Sequence, residues 1–449
     1  MLRFEISDES FEYDVRTLTN EFFPGTKEAL PAILRVSRIA SGFEISLGEK
    51  KLSVDAADKN ELKIALYDFL AEHTGRTLPW GALTGVRPVK LAREKRLERY
   101  RVSPEKMALA KKIAKKEDDL IEKCSLNPES YSVYIGIPFC PSRCLYCSFT
   151  SFPIDRVKGQ VAGYLDALIQ EITAVSSYLP HRRPTTIYVG GGTPTALSAP
   201  ELERLLFAIG DNFEVDSVRE CCVECGRPDS ITEEKLKIIR NAGFVNRISV
   251  NPQTMNGKTL EIIGRRHTVE DVVEKFGLAR SLGFSNINMD IIAGLPGEGI
   301  KEMEQTLSMI RELSPESLTV HSLAIKRAAM LNLHISEYEE TLGHDTAQQL
   351  SLVPKAVDDL GMEPYYLYRQ KNMAGNFENV GYARVGCECL YNILIMEEVE
   401  SIYAFGAGSS TKRVFGDGRI KRIEDPKDIN QYTERLTELI GKKETLINE

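Results

Sequence analysis

No apolar run in the sequence approaches the ~20 residues that a membrane span needs. The opening residues MLRFEISDES lack the basic and then apolar stretch of a secretory signal, which points to a cytoplasmic chain. Positive charge is not in excess: 57 Lys and Arg face 65 Asp and Glu, a net −8. A protein built mainly to grip phosphates is disfavoured, so no nucleic-acid partner is expected. Cysteine is scarce too. Nine in 449 residues are too few for a disulfide scaffold, the number is odd, and clustered thiols in a reducing compartment read as metal ligands. Tryptophan occurs once, at Trp80, and no repeat or low-complexity tract stands out. What is present is an ordinary globular balance, 42% hydrophobic and 27% charged, in a length that allows two or three domains of roughly 150 residues.

Residues 1–128 read as a small N-terminal α+β domain with linker helices. Strand-like pieces fall at 2–6, 32–36, 42–47 and 51–54, and a helix is expected around 61–73. The Gly/Pro-marked segment WGALTGVRPVKLARE follows, then charge-rich helical sequence over 103–124, whose basic run Lys111 to Lys116 suits a solvated helix face. A rhythm begins at residue 131. Apolar, β-rich runs recur at 132–138, 185–192, 220–226, 247–253, 287–296 and 317–324, with helical stretches such as 164–179, 200–213 and 231–242 between them. Strand-helix alternation predicts an α/β fold with a mostly parallel sheet. Six repeats fall short of the eight of a closed TIM barrel, so residues 129–330 are expected to form an open six-stranded (β/α)6 partial TIM barrel. Residues 331–449 read as a C-terminal extension, with further strands at 365–368 and 401–405.

Nearly every barrel strand ends in Gly, Pro, Cys or a polar residue, at the end where such folds carry their chemistry. The first runs into Cys140-Pro-Ser-Arg-Cys144-Leu-Tyr-Cys147. Three thiolates on one short loop wrap a soft metal centre at little closure entropy. Structural zinc wants four ligands, and no fourth Cys or His lies nearby. A 4Fe-4S cube held by three cysteines instead leaves one iron open to a small molecule. The turn Gly190-Gly191-Gly192-Thr193 allows close backbone approach and is expected to offer free N–H groups to a ligand. Glu224, Gln253 and Asp290 lie at the ends of, or within, the next three strands. Cys221, Cys222 and Cys225 suggest a second cluster, but strand alternation sends neighbours to opposite faces and favours buried thiols. Cys387-Glu-Cys389 is a weak redox motif, His267 sits in a helix-forming stretch, and His321 ends a strand where it could touch substrate.

The C-x3-C-x2-C motif after a strand resembles the signature of the radical S-adenosylmethionine enzymes. That resemblance implies a 4Fe-4S cluster whose open iron chelates the amino and carboxylate groups of S-adenosylmethionine. One electron from a low-potential donor then cleaves the sulfonium, and the 5′-deoxyadenosyl radical takes hydrogen from substrate. The segments YIGIPFCPSRCLYCSF, IYVGGGTPTAL, ISVNPQTM, IGRRHT and MDIIAGLPGE together resemble the HemN-like class of oxygen-independent coproporphyrinogen oxidases. Within it, GALTGVRPVKL, VECGRPDSIT, HSLAIKR, YYLYRQKNMAGNFENVGYA and FGAGSSTKR resemble the HemZ-type coproporphyrinogen dehydrogenases.

By this resemblance Cys140, Cys144 and Cys147 are the cluster ligands. Tyr134, Gly191, Gly192, Thr193, Glu224, Gln253, Arg265 and Asp290 are implied S-adenosylmethionine contacts. Tyr146 and Ser148 match the adenine side, and Ala324 matches a further contact. The Gly-Arg-x-His pattern selects Arg265 over Arg266; paired N–H bonds suit it to a carboxylate, while Glu224 and Asp290 suit hydroxyls. The implied reaction turns two propionates of coproporphyrinogen III into vinyl groups, giving protoporphyrinogen IX. A tetracarboxylate calls for cations, and Arg227, Lys326, Arg327, Arg369 and Lys371 are the candidates, with His321 beside them. Two departures bear on this. Phe149 stands where the best-known members carry a further cysteine, a thiol that the haem-chaperone branch also lacks. That branch's His-Asn-x-x-Tyr-Trp pattern is here Glu378-Asn379-Val380-Gly381-Tyr382-Ala383. A haem-binding or haem-transfer protein, and a radical enzyme acting on another tetrapyrrole, are the alternatives.

Overall fold

The computed structural model describes residues 3–23, 33–55, 58–85, 87–326, 328–338, 341–342, 345–370 and 376–449. The N-terminal sheet has the order β1 (Arg3–Ile6), β2 (Ile33–Ile39), β3 (Gly42–Leu47) and β4 (Lys50–Val54). β1 and β2 are parallel and the remaining pairs antiparallel. The helix Lys59–Thr74 starts where the Asp58 carboxylate caps the N–H groups of Asn60 and Glu61, and stops at Gly75 in the left-handed region. The helix Glu9–Phe22, not anticipated above, buries Phe11, Val15, Leu18 and Phe22, one helical face at i, i+4, i+7 and i+11. Both helices seal the same small core against Leu34, Val36 and Ile45.

A second, much larger sheet contains β5 (Tyr131–Ile137), β8 (Thr186–Gly191), β9 (Glu220–Glu224), β10 (Arg247–Ser249), β11 (Ile287–Ala293) and β12 (Ser317–Ser322), preceded in its first crossover by two short strands, β6 (Phe139–Cys140) and β7 (Phe152–Pro153). These six long strands are parallel and adjacent in sequence order. Period-2 alternation sorts their side chains. Val133, Ile135, Ile187, Val189, Val223, Ile248 and Met289 face the helices in the main core, while Tyr188, Glu224, Ser249, Asp290 and His321 line the interior.

The extension does not form a separate layer. β14 (Asn379–Ala383) adds antiparallel to β12 and β13 (Glu363–Tyr368) adds antiparallel to β14, while β15 (Ser401–Phe405) adds parallel to β5 on the opposite side. β16 (Ser410–Val414) and β17 (Ile420–Glu424) continue that edge, so β13 and β17 end an open eleven-stranded sheet. Antiparallel additions lack the strand-helix rhythm, which is why β14, β16 and β17 escaped the periodicity above. The helix Pro104–Cys124 packs Ala110, Ile113 and Ala114 into the large core. Trp80, fully buried, donates its indole N–H to Glu378 at 2.8 Å, and Asn376 accepts its backbone N–H at 2.8 Å. Trp80, next to one segment that resembles the HemZ type, thereby meets another, and neither contact lines the cleft described below. No helix among the described residues is long and apolar enough to cross a membrane.

Candidate active site at the mouth of the open barrel

β5 passes through Pro138 into β6, which pairs with β7 at Phe139↔Phe152 and Cys140↔Pro153. The intervening loop is thus pinned at both ends. Leu145 donates its N–H to the Ile263 carbonyl at 3.0 Å, its own carbonyl accepts from Leu331 at 2.9 Å, and Ser142 Oγ donates to the Gly264 carbonyl at 2.9 Å. Cys140 Sγ lies 3.4 Å from Thr193 Oγ1, and Cys147 Sγ lies 3.8 Å from Ser151 Oγ. Among the described residues no three His, Cys, Asp or Glu side chains are placed to share one metal ion. A cube takes one thiolate per iron, so three cysteines on one loop suit three of its corners and leave the fourth open to a ligand. Burial pushes the Cys140 thiol up to about 12 and raises Cys147 as well. As neutral thiols they would have to give up their protons to hold iron.

A cleft of about 220 Å³ opens beside the three sulfurs. Gly191, Gly192 and Thr193 wall one side of it, but not as donors to a ligand. Gly192 N–H donates to the Ile137 carbonyl at 2.8 Å and Thr193 N–H to the Phe139 carbonyl at 2.7 Å, while Gly191 N–H serves the Glu224 carboxylate. The expected free N–H groups are thus taken, two by pairing that continues past the end of β8 and one by a carboxylate. Close approach is the real requirement: a Cβ on Gly192 would sit 2.6 Å from the Phe139 carbonyl oxygen.

Glu224 and Asp290 face the cleft from β9 and β11. Burial pushes Glu224 up to about 7, although the Tyr188 hydroxyl donates to it. Burial acts on Asp290 in the same sense, but His321, Asn288 and Thr319 outweigh it and hold the carboxyl below its ordinary range. Asn288 Nδ2 donates to Asp290 Oδ1 at 2.7 Å. One buried carboxylate is ionised and its neighbour is poised near neutrality. Gln253, at φ +68°, is held in the left-handed region by a 2.9 Å bond from its N–H to the Asp290 carbonyl and a 2.9 Å bond from Ile292 N–H to its own carbonyl. For a residue with a Cβ this conformation costs about 1–2 kcal/mol.

Arg265 is buried and Arg266 largely exposed. Arg265 Nη2 donates to the Asn251 carbonyl at 2.8 Å and Nη1 to the Tyr146 hydroxyl at 3.3 Å. Its Nε has no partner, and neither has the nearby Asn251 Oδ1. A buried unused donor and acceptor cost free energy unless a ligand completes them. Their chemistry fits the carboxylate and amino groups at the methionyl end of S-adenosylmethionine. Ser148, Gln253 and Ala324 line the same cleft. Tyr134 does not. It stands behind Gly191 in an adjoining cavity, stacked on Tyr188 with ring centroids 6.3 Å apart, so it shapes the wall from behind.

Of the residues expected to meet substrate, Lys326 and His321 line the cleft. Arg227 also borders it, but its guanidinium is consumed by Asp229, Ser142 and Cys144 and is not free for a propionate. Arg369 is elsewhere. It is 2% exposed, over the Trp80 ring at 5.8 Å and bonded to the Leu83 and Phe377 carbonyls, where it ties the N-terminal segment to the extension. Arg327 and Lys371 lie outside the described residues. His267 is buried beside Asp229 at 3.9 Å, away from the cleft. Cys221 and Cys225 belong to the core, and Cys222 faces a deeper interior cavity with Cys389, so no second cysteine cluster forms among the described residues. Sequence reasoning missed Asn251, Phe149 as a lining residue, and Tyr368, whose hydroxyl is 3.3 Å from His321 Nδ1. Polar residues just past the strand ends in RISVN and YYLY were the available signal.

Residues 134–310 match the model of the Radical SAM superfamily. Over 402 residues the chain is 41% identical to the oxygen-independent coproporphyrinogen-III oxidase-like protein HemZ of Bacillus subtilis (strain 168), covering 86% of this chain and 80% of that protein. The heme chaperone HemW of the same organism is 33% identical over 286 residues, covering 62% and 70%. The oxygen-independent coproporphyrinogen III oxidase of Escherichia coli (strain K12) is 32% identical over 193 residues, 43% and 42% of the two chains. The solved structure of coproporphyrinogen III oxidase (HemN) from Escherichia coli superposes with a TM-score of 0.56 at 23% identity over 72% of each chain, which shows a common fold.

Proposed function

Since the chain belongs to the radical SAM superfamily, in its HemN-like class beside HemZ, and so employs a 4Fe-4S cluster and S-adenosylmethionine, we propose that it oxidatively decarboxylates coproporphyrinogen III without oxygen. Two propionates become vinyl groups, each losing carbon dioxide, one hydrogen atom to the 5′-deoxyadenosyl radical and one further electron to a one-electron acceptor, and the product is protoporphyrinogen IX. Support for the substrate comes from kinship with HemZ over most of the chain. When bound, the cluster and S-adenosylmethionine supply hydrogen-atom abstraction.

The chain's own residues do the rest. Cys140, Cys144 and Cys147 hold the cluster. Arg265 Nε and Asn251 Oδ1 orient the amino-acid end of the nucleotide, and Asp290 and Glu224 accept its hydroxyls. The apolar Ile292 and Leu323 on the cleft wall exclude water that would divert a reactive intermediate. Lys326 and His321 meet the propionates, and a low-potential donor provides the electron. Anaerobic reconstitution with iron and sulfide, followed by reductant, S-adenosylmethionine and coproporphyrinogen III, tests this by product mass. Stepwise loss of carbon dioxide and two hydrogens per propionate is expected; 5′-deoxyadenosine without any altered porphyrin would discard the substrate.

A second reading has its own observation. Phe149 is 71% exposed where the best-known oxidases of the class carry cysteine, and the chain is also related to HemW. Stoichiometric haem binding with no decarboxylation would select haem transfer, and altered haem would select a radical enzyme acting on another tetrapyrrole.

A further inference from the structure

Arg227 opens the short turn Pro228–Ser230 after β9, which carries its guanidinium into the cysteine loop. Nη1 donates to Cys144 Sγ at 3.4 Å and to the Ser142 carbonyl at 3.2 Å, and Nη2 donates to Ser142 Oγ at 3.0 Å. The rest of the fork is closed by Asp229, which accepts from Nε at 2.9 Å and from Nη2 at 2.7 Å. The side chain is 4% exposed. A buried cation is expensive to keep, and a loop staple could have been made from neutral groups. This one places an N–H on the sulfur of a cluster ligand and a carboxylate behind it.

We propose that Arg227 is a positioning residue that sets the reduction potential of the cluster through Cys144, with Asp229 as its counterweight. An electron entering the cluster increases the negative charge on the iron and its thiolates. A hydrogen bond to the ligand sulfur, from a cationic donor, stabilises the reduced form more than the oxidised form and raises the potential. Asp229 opposes that by keeping the pair close to neutral. In a buried site neither effect is screened away by water. One electron enters from a low-potential donor, and no proton or bond is exchanged at Arg227. The other groups against Asp229 are His267, at 3.9 Å, and Arg265, which also acts on it electrostatically. The inference rests on the cluster alone and holds whatever the tetrapyrrole proves to be.

Full-length R227Q, R227K and D229N, reconstituted anaerobically and checked for iron content, are titrated potentiometrically by electron paramagnetic resonance without nucleotide. R227Q is expected to lower the reduced-to-oxidised ratio at the wild-type midpoint about tenfold, a negative shift of about 59 mV for a one-electron couple. D229N moves the midpoint the other way, because the guanidinium stays and its counter-charge goes. R227K falls between, since lysine keeps the charge but not the fork. An unchanged midpoint in fully loaded R227Q overturns the proposal and leaves a loop staple. If R227Q does not retain the cluster, D229N decides: a positive shift supports the assignment, and no shift or a negative one ends it.

Discussion

A methyl group on Gly192 tests whether the glycine turn and the cysteine loop are mechanically coupled. The new Cβ would lie 2.6 Å from the Phe139 carbonyl oxygen, 2.9 Å from that of Ile137 and 3.0 Å from the Phe139 carbonyl carbon. All three are backbone atoms, so no rotamer relieves the overlap. Regaining the 3.4 Å of ordinary contact drives the β5–β6 corner back by about 0.8 Å. The bonds from Gly192 and Thr193 N–H, now 2.8 and 2.7 Å, would stretch with it. Cys140 is the next residue along. Ligand distances tolerate only about 0.2 Å, and a displacement approaching 1 Å costs about a hundredfold in rate. Overpacking costs about 1–3 kcal/mol, within the stability of a folded domain. Gly192→Ala should therefore fold, hold substoichiometric iron and sulfide, and cleave S-adenosylmethionine about a hundredfold more slowly. Gly163→Ala, in the helix Ile154–Ser176 with nothing within 4 Å of the added methyl, is the control and should gain about 0.5–1 kcal/mol. Wild-type iron content and cleavage in Gly192→Ala would refute the coupling.

Glu224 is neutral below about 7 and a better hydroxyl acceptor above it, so calorimetric affinity for S-adenosylmethionine should rise as pH passes about 7. Glu224→Gln should flatten that rise; an unchanged slope would clear Glu224. Burial also raises Glu400, between Ser132 and Thr185, to about 7. A raised carboxyl adds stability below its unfolded value that disappears as pH climbs through the folded one, so melting temperature in Glu400→Gln should depend less on pH between about 4.5 and 7. Arg369→Met leaves Glu21, 3.8 Å away, without its cation and should lose about 3–5 kcal/mol in denaturant titration, with nucleotide cleavage per folded chain intact. Lost cleavage at full stability would return Arg369 to the site. Phe149→Ala should change stability by no more than about 0.5 kcal/mol but raise KM for the tetrapyrrole; an unaltered KM would remove Phe149 from the substrate surface.

The barrel was legible because one periodicity served two purposes. Alternation sent Ile187, Val189 and Val223 to the helices and Tyr188 and Glu224 to the interior, so strand positions and cleft-facing side chains came from the same pattern. The cysteine loop was legible because its three ligands fall within eight consecutive residues. Long-range pairing was not. Nothing local in VECGRPDS says that Arg227 will reach Cys144, and nothing in YYLYRQ says that Arg369 will meet Trp80. A cation near a motif looks the same in sequence whether it meets a substrate carboxylate or a buried glutamate. The glycine turn shows the complementary limit: composition reveals that backbones approach closely, but only the fold says whose carbonyl they approach.

The most direct test of the cluster assignment is metal and sulfide analysis of anaerobically purified, fully loaded protein, together with its spectrum before and after S-adenosylmethionine. Iron and acid-labile sulfide in equal amounts, one cube per chain, are expected, with a cluster signal that the nucleotide perturbs and that Cys140→Ala, Cys144→Ala or Cys147→Ala abolishes. Zinc, or no metal, or a cluster indifferent to the nucleotide, would contradict it.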